Sequence, residues 1–177
     1  IARGVKIYEH TALESLTHGN PAIIKTPQGK ITADRVVLAM NAWAIRWAEI
    51  RKSIIVVSGD MMVTPPIPER LEKMGWTDGL AASDGRALVQ YYRATRDGRL
   101  AFGKGGMSGT FSFGNKVGAE VEGASPSSGA VLAAMHKTFP NLADVGMAKS
   151  WRGPIDRSKS GLPLFSRLGS AENVFYA

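Results

Sequence analysis

The apolar residues of this chain fall in short bursts, and that spacing limits its fold more than any other feature. Ala22-Ile23-Ile24, Val36-Val37-Leu38-Ala39, Ile54-Ile55-Val56-Val57 and Met61-Met62-Val63 are each the length of a strand rather than a helix. Bursts rich in Ile and Val with turn residues between them are strand signals. Pro27 and Gly29 mark one tight hairpin, and Asp97-Gly98 marks a second between residues 88–95 and 99–102. Gly59 interrupts the apolar text of residues 53–64, which predicts one long strand with a bulge or bend. The run at 36–39 is apolar at every position, the pattern of a strand buried on both faces. Alternation predicts a further strand at 5–8, and apolar text predicts others at 145–151 and 173–177, with Gly153-Pro154 opening a loop.

Helical signals are few. Asn41 is placed to cap a helix whose apolar face is Trp43, Trp47 and Ile50, at i, i+4 and i+7. Residues 69–74 form a short helix with Pro68 near its first turn. Ser125-Pro126 is a second cap pair, followed by Val131, Leu132, Met135 and Phe139 at helical spacing, and Pro140 ends that helix. Few helices, many strands and several hairpins make an α+β fold with a largely antiparallel sheet.

Composition narrows the function classes. The chain lacks cysteine, so disulfides, thiolate metal sites and a cysteine nucleophile are excluded, and a reducing, cytoplasmic setting is permitted. No apolar run approaches the ~20 residues of a membrane span. The net charge is +7, but the basic residues are scattered, with Arg51-Lys52 the adjacent pair. A nucleic-acid footprint needs a patch or stripe, so no nucleic-acid partner is expected. An anionic small molecule explains the charge as well.

Most catalytic patterns fail on inspection. Residues 98–104 copy the first seven positions of a phosphate-binding loop, but Gly105 stands where Ser or Thr must hold magnesium, and the intervening residues read as strand. The glycines of the 103–118 loop do not complete a dinucleotide fingerprint. His10, His18 and His136 have no ligand-spaced neighbours, so no metal site is expected, and His136 reads as a structural histidine inside a helix. One cluster stands out. Tyr91-Tyr92-Arg93 and Trp151-Arg152 place aromatic and basic groups together on strands, with Tyr91 and Arg93 on one face and Tyr92 on the other. Such a pairing suits a planar or anionic ligand, or a core tyrosine beside a surface arginine.

Taken in order, several segments resemble one family. They are Gly4-Val5-Lys6-Ile7-Tyr8-Glu9-His10-Thr11-Ala12-Leu13, residues 29–43, Arg93-Ala94-Thr95-Arg96-Asp97-Gly98, Trp151-Arg152-Gly153-Pro154-Ile155-Asp156, Gly161-Leu162-Pro163 and Asn173-Val174-Phe175-Tyr176-Ala177. Together they resemble the D-amino-acid-oxidase-like (DAO) superfamily of FAD-dependent oxidoreductases, and within it the gamma-glutamylputrescine-oxidase-like amine oxidases. The resemblance implies oxidation of a C–N bond in an amine or amino acid, with hydride passing to FAD. It implies a flavin-domain remnant over residues 1–43, a substrate-binding domain over 44–165 and a return strand over 166–177. Leu13 would touch adenine through its backbone, and Ala39, Asn41 and Trp43 would approach the flavin. Tyr91, Tyr92, Arg93, Trp151 and Arg152 would border the substrate. Two departures matter. The family usually has Gly at the place of Asn41. Its amino-acid oxidases carry a carboxylate-binding Arg where this chain has Ile155, which favours an amine.

The family's opening strand, glycine loop and helix, which cradle the FAD pyrophosphate, have no counterpart in residues 1–177. The chain therefore reads as an internal fragment whose strands at 36–39 and 174–176 have unpaired edges, able to associate with a neighbouring chain or fray. The rival reading is a standalone, non-catalytic module that binds an anionic small molecule. On the fragment reading the purified chain is expected to be colourless; stoichiometric yellow flavin in its absorbance spectrum would contradict it.

Overall fold

The computed structural model describes residues 3–85, 89–104, 116–118, 123–169 and 171–177. The chain divides into two compact units, Ile54–Arg157 and a second made of Ile1–Ser53 with Ser158–Ala177.

The Ile54–Arg157 unit is built on a five-stranded sheet. Its strands are β5 (Ile54–Val63), β6 (Ala81–Ser83), β7 (Tyr91–Ala94), β8 (Leu100–Lys104) and β9 (Lys149–Ser158), in the order β6-β7-β8-β5-β9. The pairs β6–β7, β7–β8 and β5–β8 are antiparallel. Asp97-Gly98 makes the β7–β8 turn, where Gly98 takes φ +72° and its N–H donates to the Thr95 carbonyl at 3.1 Å. Asp97 accepts from the Thr95 hydroxyl and from Arg99 Nε, which hold its carboxyl below the usual carboxylate range.

Alternation puts Met62 of β5 and Leu100 and Phe102 of β8 into the core, all fully buried. Helix α3 (Ser128–Thr138) packs on β5 and β8, adding Val131, Ala134 and Met135. The short helix α2 (Pro68–Lys73) begins on its proline and adds Leu71 to the same cluster. An aromatic group completes it. Tyr92 stacks on Phe102 at 5.7 Å between ring centroids and meets Phe139 edge-on at 5.0 Å and Trp76 edge-on at 5.5 Å.

The other unit holds two small sheets. Strands β1 (Ser15–Thr17), β2 (Ala22–Thr26) and β3 (Gly29–Ala33) form an antiparallel meander, with Pro27-Gln28 as the β2–β3 loop. In the second, β11 (Val174–Tyr176) is central, parallel to β4 (Val36–Leu38) and antiparallel to β10 (Ser166–Arg167). Asn173 ties this sheet to its surroundings by donating from Nδ2 to the carbonyls of Gly19 and Asp34, both at 2.9 Å. The α+β class with a mostly antiparallel mixed sheet is as the sequence indicates.

Several local expectations are corrected. Residues 5–8 form no ladder, and Val5, Ile7 and Tyr8 are exposed. Strand β11 has no unpaired edge, because it pairs with both β10 and β4, whereas β4 has a strand partner on one side only among the described residues. In β4 Val36 and Leu38 are buried, whereas Val37 is 64% exposed, so cover lies on one face only among the described residues. Residues 41–51 are not one helix but a 3₁₀ turn at Asn41–Arg46 and a short α1 (Ala48–Arg51), because Trp47 between them is extended at φ −89° and ψ 120°. Ser125 does not cap α3. Its hydroxyl donates to Asp60 Oδ1 at 2.5 Å and accepts the Ser127 N–H, so the helix starts at Ser128. Strand β9 begins later than expected and runs through Gly153-Pro154; it is an edge strand, where a missing N–H breaks no ladder. As expected, β5 is one long strand that continues through Gly59. Most of the 103–118 glycine loop and the start of the 88–95 run lie outside the described residues.

Phe102 anchors the larger unit, so Phe102→Ala is expected to cost about 3–5 kcal/mol of its stability, read from urea unfolding.

Candidate functional site

Among the described residues the sheet has a helix-covered face and an open one, and the period of two along each strand decides which residues reach the open side. In β7, Tyr92 turns into the aromatic cluster, so Tyr91 and Arg93 take the opposite face. In β9, the exposed positions Trp151 and Ile155 alternate with Arg152, buried Pro154 and Asp156. Tyr91 and Ile155 lie on the same face, because both reach Gly59 of β5. A Cβ on Gly59 would lie 2.5 Å from Ile155 Cδ1 and 3.6 Å from the Tyr91 hydroxyl oxygen. Across the sheet, Tyr91 is directly opposite Gly103, and Gly103 is opposite Met61. The open face thus carries Tyr91, Met61, Ile155 and Trp151 over two glycines, and it is mainly apolar.

The sequence-based set is therefore divided. Tyr91, Arg93 and Trp151 belong to the open face. Tyr92 is part of the core on the other side, and its packing partners are Trp76, Phe102 and Phe139. Arg152 also alternates away from Trp151, and its backbone N–H bridges to the Gly123 carbonyl at 2.9 Å. Arg93 is exposed and, with Arg96, Trp76 and Asp78, also borders an open cavity of about 880 Å³ beside α2; Tyr91 does not line that cavity.

Beneath the open face lies Asp60, 3% exposed and bonded to the Ser125 hydroxyl. Burial, and then the charge of Asp60, push the Tyr91 phenol above its usual value. Tyr91 therefore stays protonated through the neutral range and offers a ring surface and an O–H donor, not a base. Gly59, Gly103, Met61 and Asp60 were not singled out from the sequence as site residues. A glycine inside a strand was the available signal, since it marks close approach by another group.

In the smaller unit, Leu13 lies in the extended stretch before β1, and its carbonyl accepts from Arg46 Nη1 at 2.8 Å. Ala39 and Asn41 follow the carboxyl end of β4 and are exposed, while Trp43 is half-buried. Asn41 takes φ +50° and its Oδ1 accepts the Ala42 N–H at 2.6 Å. That left-handed conformation suits glycine best and asparagine next, so Asn41 preserves the turn that a glycine would make. Ligands of parallel strands gather at their carboxyl ends, which is where this turn sits.

Residues 100–104 are strand, not a phosphate nest. His136 Nε2 is 2.9 Å from the Val145 carbonyl oxygen, a structural role. Among the described residues no group of three potential metal ligands occurs, and no helix is long and apolar enough to cross a membrane.

A family profile described as FAD dependent oxidoreductase (DAO) matches residues 1–177. Gamma-glutamylputrescine oxidoreductase of Escherichia coli (strain K12) is 29% identical over 175 residues, covering 98% of this chain and 38% of that protein. A probable oxidoreductase, OrdL, of Haemophilus influenzae is 25% identical over 184 residues, again covering 98% of this chain and 38% of the relative. This chain thus spans about 38% of the length of these curated relatives. Among solved structures, L-proline dehydrogenase from P. horikoshii superposes with a TM-score of 0.69 at 20% identity, covering 99% of this chain and 46% of that one. Glycine oxidase from Geobacillus kaustophilus gives 0.65 at 20% identity, covering 96% and 42%.

The raised Tyr91 phenol has a consequence for stability. The folded state holds this proton more tightly than the unfolded chain does, so its contribution is complete below the ordinary phenol value of about 10 and is lost as pH rises through the higher, folded value. Thermal melts between pH 8 and pH 11 are expected to show a steeper alkaline loss for the native chain than for Tyr91→Phe.

Proposed function

The chain belongs to the DAO family of FAD-dependent oxidoreductases, and from that membership we propose that the enzyme it represents oxidises the C–N bond of an amine that bears no carboxylate at the reacting carbon. The observation that carries the choice of amine is Ile155. It occupies the open face beside Gly59, on the same side of the sheet as Tyr91, at the position where the resemblance places a carboxylate-binding arginine in amino-acid oxidases. An isoleucine there leaves an α-carboxylate unpaired and desolvated, a costly arrangement. The name of the Escherichia coli relative, gamma-glutamylputrescine oxidoreductase, agrees with an amine substrate.

When bound, FAD supplies the two-electron acceptor for hydride leaving the carbon next to nitrogen. The turn at Ala39 and Asn41 fits one edge of a planar ring system: it is exposed, it follows the carboxyl end of a parallel strand, and its left-handed residue keeps bulk off the backbone. Ala39, Asn41 and Trp43 would hold the flavin side, and Leu13 the adenine. Tyr91, Met61 and Ile155 would take the substrate. Their apolar surface strips water from the amine and so favours its neutral form, the form that can give up hydride. Tyr91, held protonated, can donate its O–H without competing for the amine's proton. A cytoplasmic location is part of the same reading.

A second reading, an α-amino-acid substrate, draws support from Arg93, an exposed cation on the Tyr91 face. The full-length enzyme separates the two. Its kcat/KM for γ-glutamylputrescine or putrescine is expected to exceed that for glycine and L-proline at least tenfold, about 1.4 kcal/mol of transition-state discrimination. Equal or better turnover of the amino acids would overturn the amine reading. Turnover of neither class would leave the binding module.

A further inference from the structure

We propose that Gly59 and Gly103 are positioning residues: they seat the Tyr91 ring and thereby set how large an amine the open face admits. The part concerning amines rests on the reading above; the seating does not. Tyr91 and Gly103 are partners across β7 and β8. A Cβ on Gly103 would fall within 3.0 Å of three atoms of the Tyr91 ring, a separation real Cβ atoms essentially never show. On Gly59 it would meet Ile155 Cδ1 at 2.5 Å, with the Tyr91 hydroxyl just beyond. Neither glycine has a positive φ, so backbone conformation does not demand glycine at either place.

Glycine weakens a strand interior, and here two of them stand in the adjacent strands β5 and β8, both against Tyr91, with Ile155 also over Gly59. Space for Tyr91 and Ile155 is what they provide. By contrast, Gly153 in β9 has nothing within 4 Å of its Cβ position, so it serves as a control. With both seats empty of side chains, the ring lies across Gly103 and points its hydroxyl toward Gly59. A methyl group at Gly103 would force the ring off the sheet and into the space above it, where the proposed substrate sits.

The test is a double-mutant cycle on this 177-residue chain. Gly103→Ala is expected to lower Tm by about 4 °C or more in the native background. In a Tyr91→Ala background the same change should cost less than about 1 °C, and so should Gly153→Ala in the native chain. Equal losses from Gly103→Ala in both backgrounds would overturn the seat. In the full-length enzyme, Gly103→Ala should raise amine KM about tenfold while kcat changes less than about twofold. Adding Gly103→Ala to Tyr91→Ala should leave KM at the Tyr91→Ala value. Unchanged KM in Gly103→Ala would refute control over substrate size. Absence of amine turnover in the native enzyme would refute the amine reading, and the seat would then stand or fall on the melting cycle.

Discussion

The burial of Tyr92 against Phe102 and Phe139 governs the arrangement of the larger unit. Once that ring takes the helix-covered side, pleat geometry sends Tyr91 and Arg93 to the other side, with no further choice. The same cluster brings α3 down on β5 and β8 and fills the space beside Trp76. A one-residue slip of β7 would replace Tyr92 by Tyr91 or Arg93 among Trp76, Phe102 and Phe139 and turn Tyr92 to the open face. The core therefore specifies the register of the face that carries the candidate chemistry.

That open face is unusual in what it lacks. Its central positions on β5 and β8 are glycines, and the side chains above them are apolar apart from one phenol held in its neutral form. Arg93 of β7 adds a cation to this face, whereas the carboxylates are held elsewhere. Asp60 is buried beneath, satisfied by Ser125 at the start of α3, and Asp97 and Asp144 are engaged by Arg99 and Arg70 at the surface. A reaction that moves hydride to a cofactor asks the protein for position and a dry surface more than for a strong acid or base. On the proposed reading, the apolar part of this surface would serve to position the substrate.

Much of this could be read before the fold was known, because the signals were local. Pro27-Gln28 and Asp97-Gly98 turn where turn chemistry says they should, and Val131 and Met135 bury the α3 face that their spacing predicts. The misreadings arise where tertiary context or local backbone conformation overrides a sequence signal. Ser125 could have capped α3, but its hydroxyl oxygen accepts the N–H of Ser127, ahead of the helix, while it donates to the buried Asp60 carboxylate. Trp43, Trp47 and Ile50 have helical spacing, yet the chain extends at Trp47 and breaks the helix. Pro154 looked like a strand breaker, and on an edge strand it is harmless. Alternation separated Tyr91 from Tyr92 correctly, but it could not say which of them faced the core.

The sequence by itself determined the class of fold, the hairpins, the lack of any thiol, and the family resemblance that the profile match then established. These depend on residue type and on spacings within a few positions, which any reader of the chain can count. Tertiary structure decided which face is open, that β4 pairs in parallel with β11 across more than a hundred residues, and that Gly59, Gly103 and Ile155 meet around one tyrosine. Those facts depend on residues far apart in sequence arriving at one place, and the packing of the core, not any local preference, brings them there.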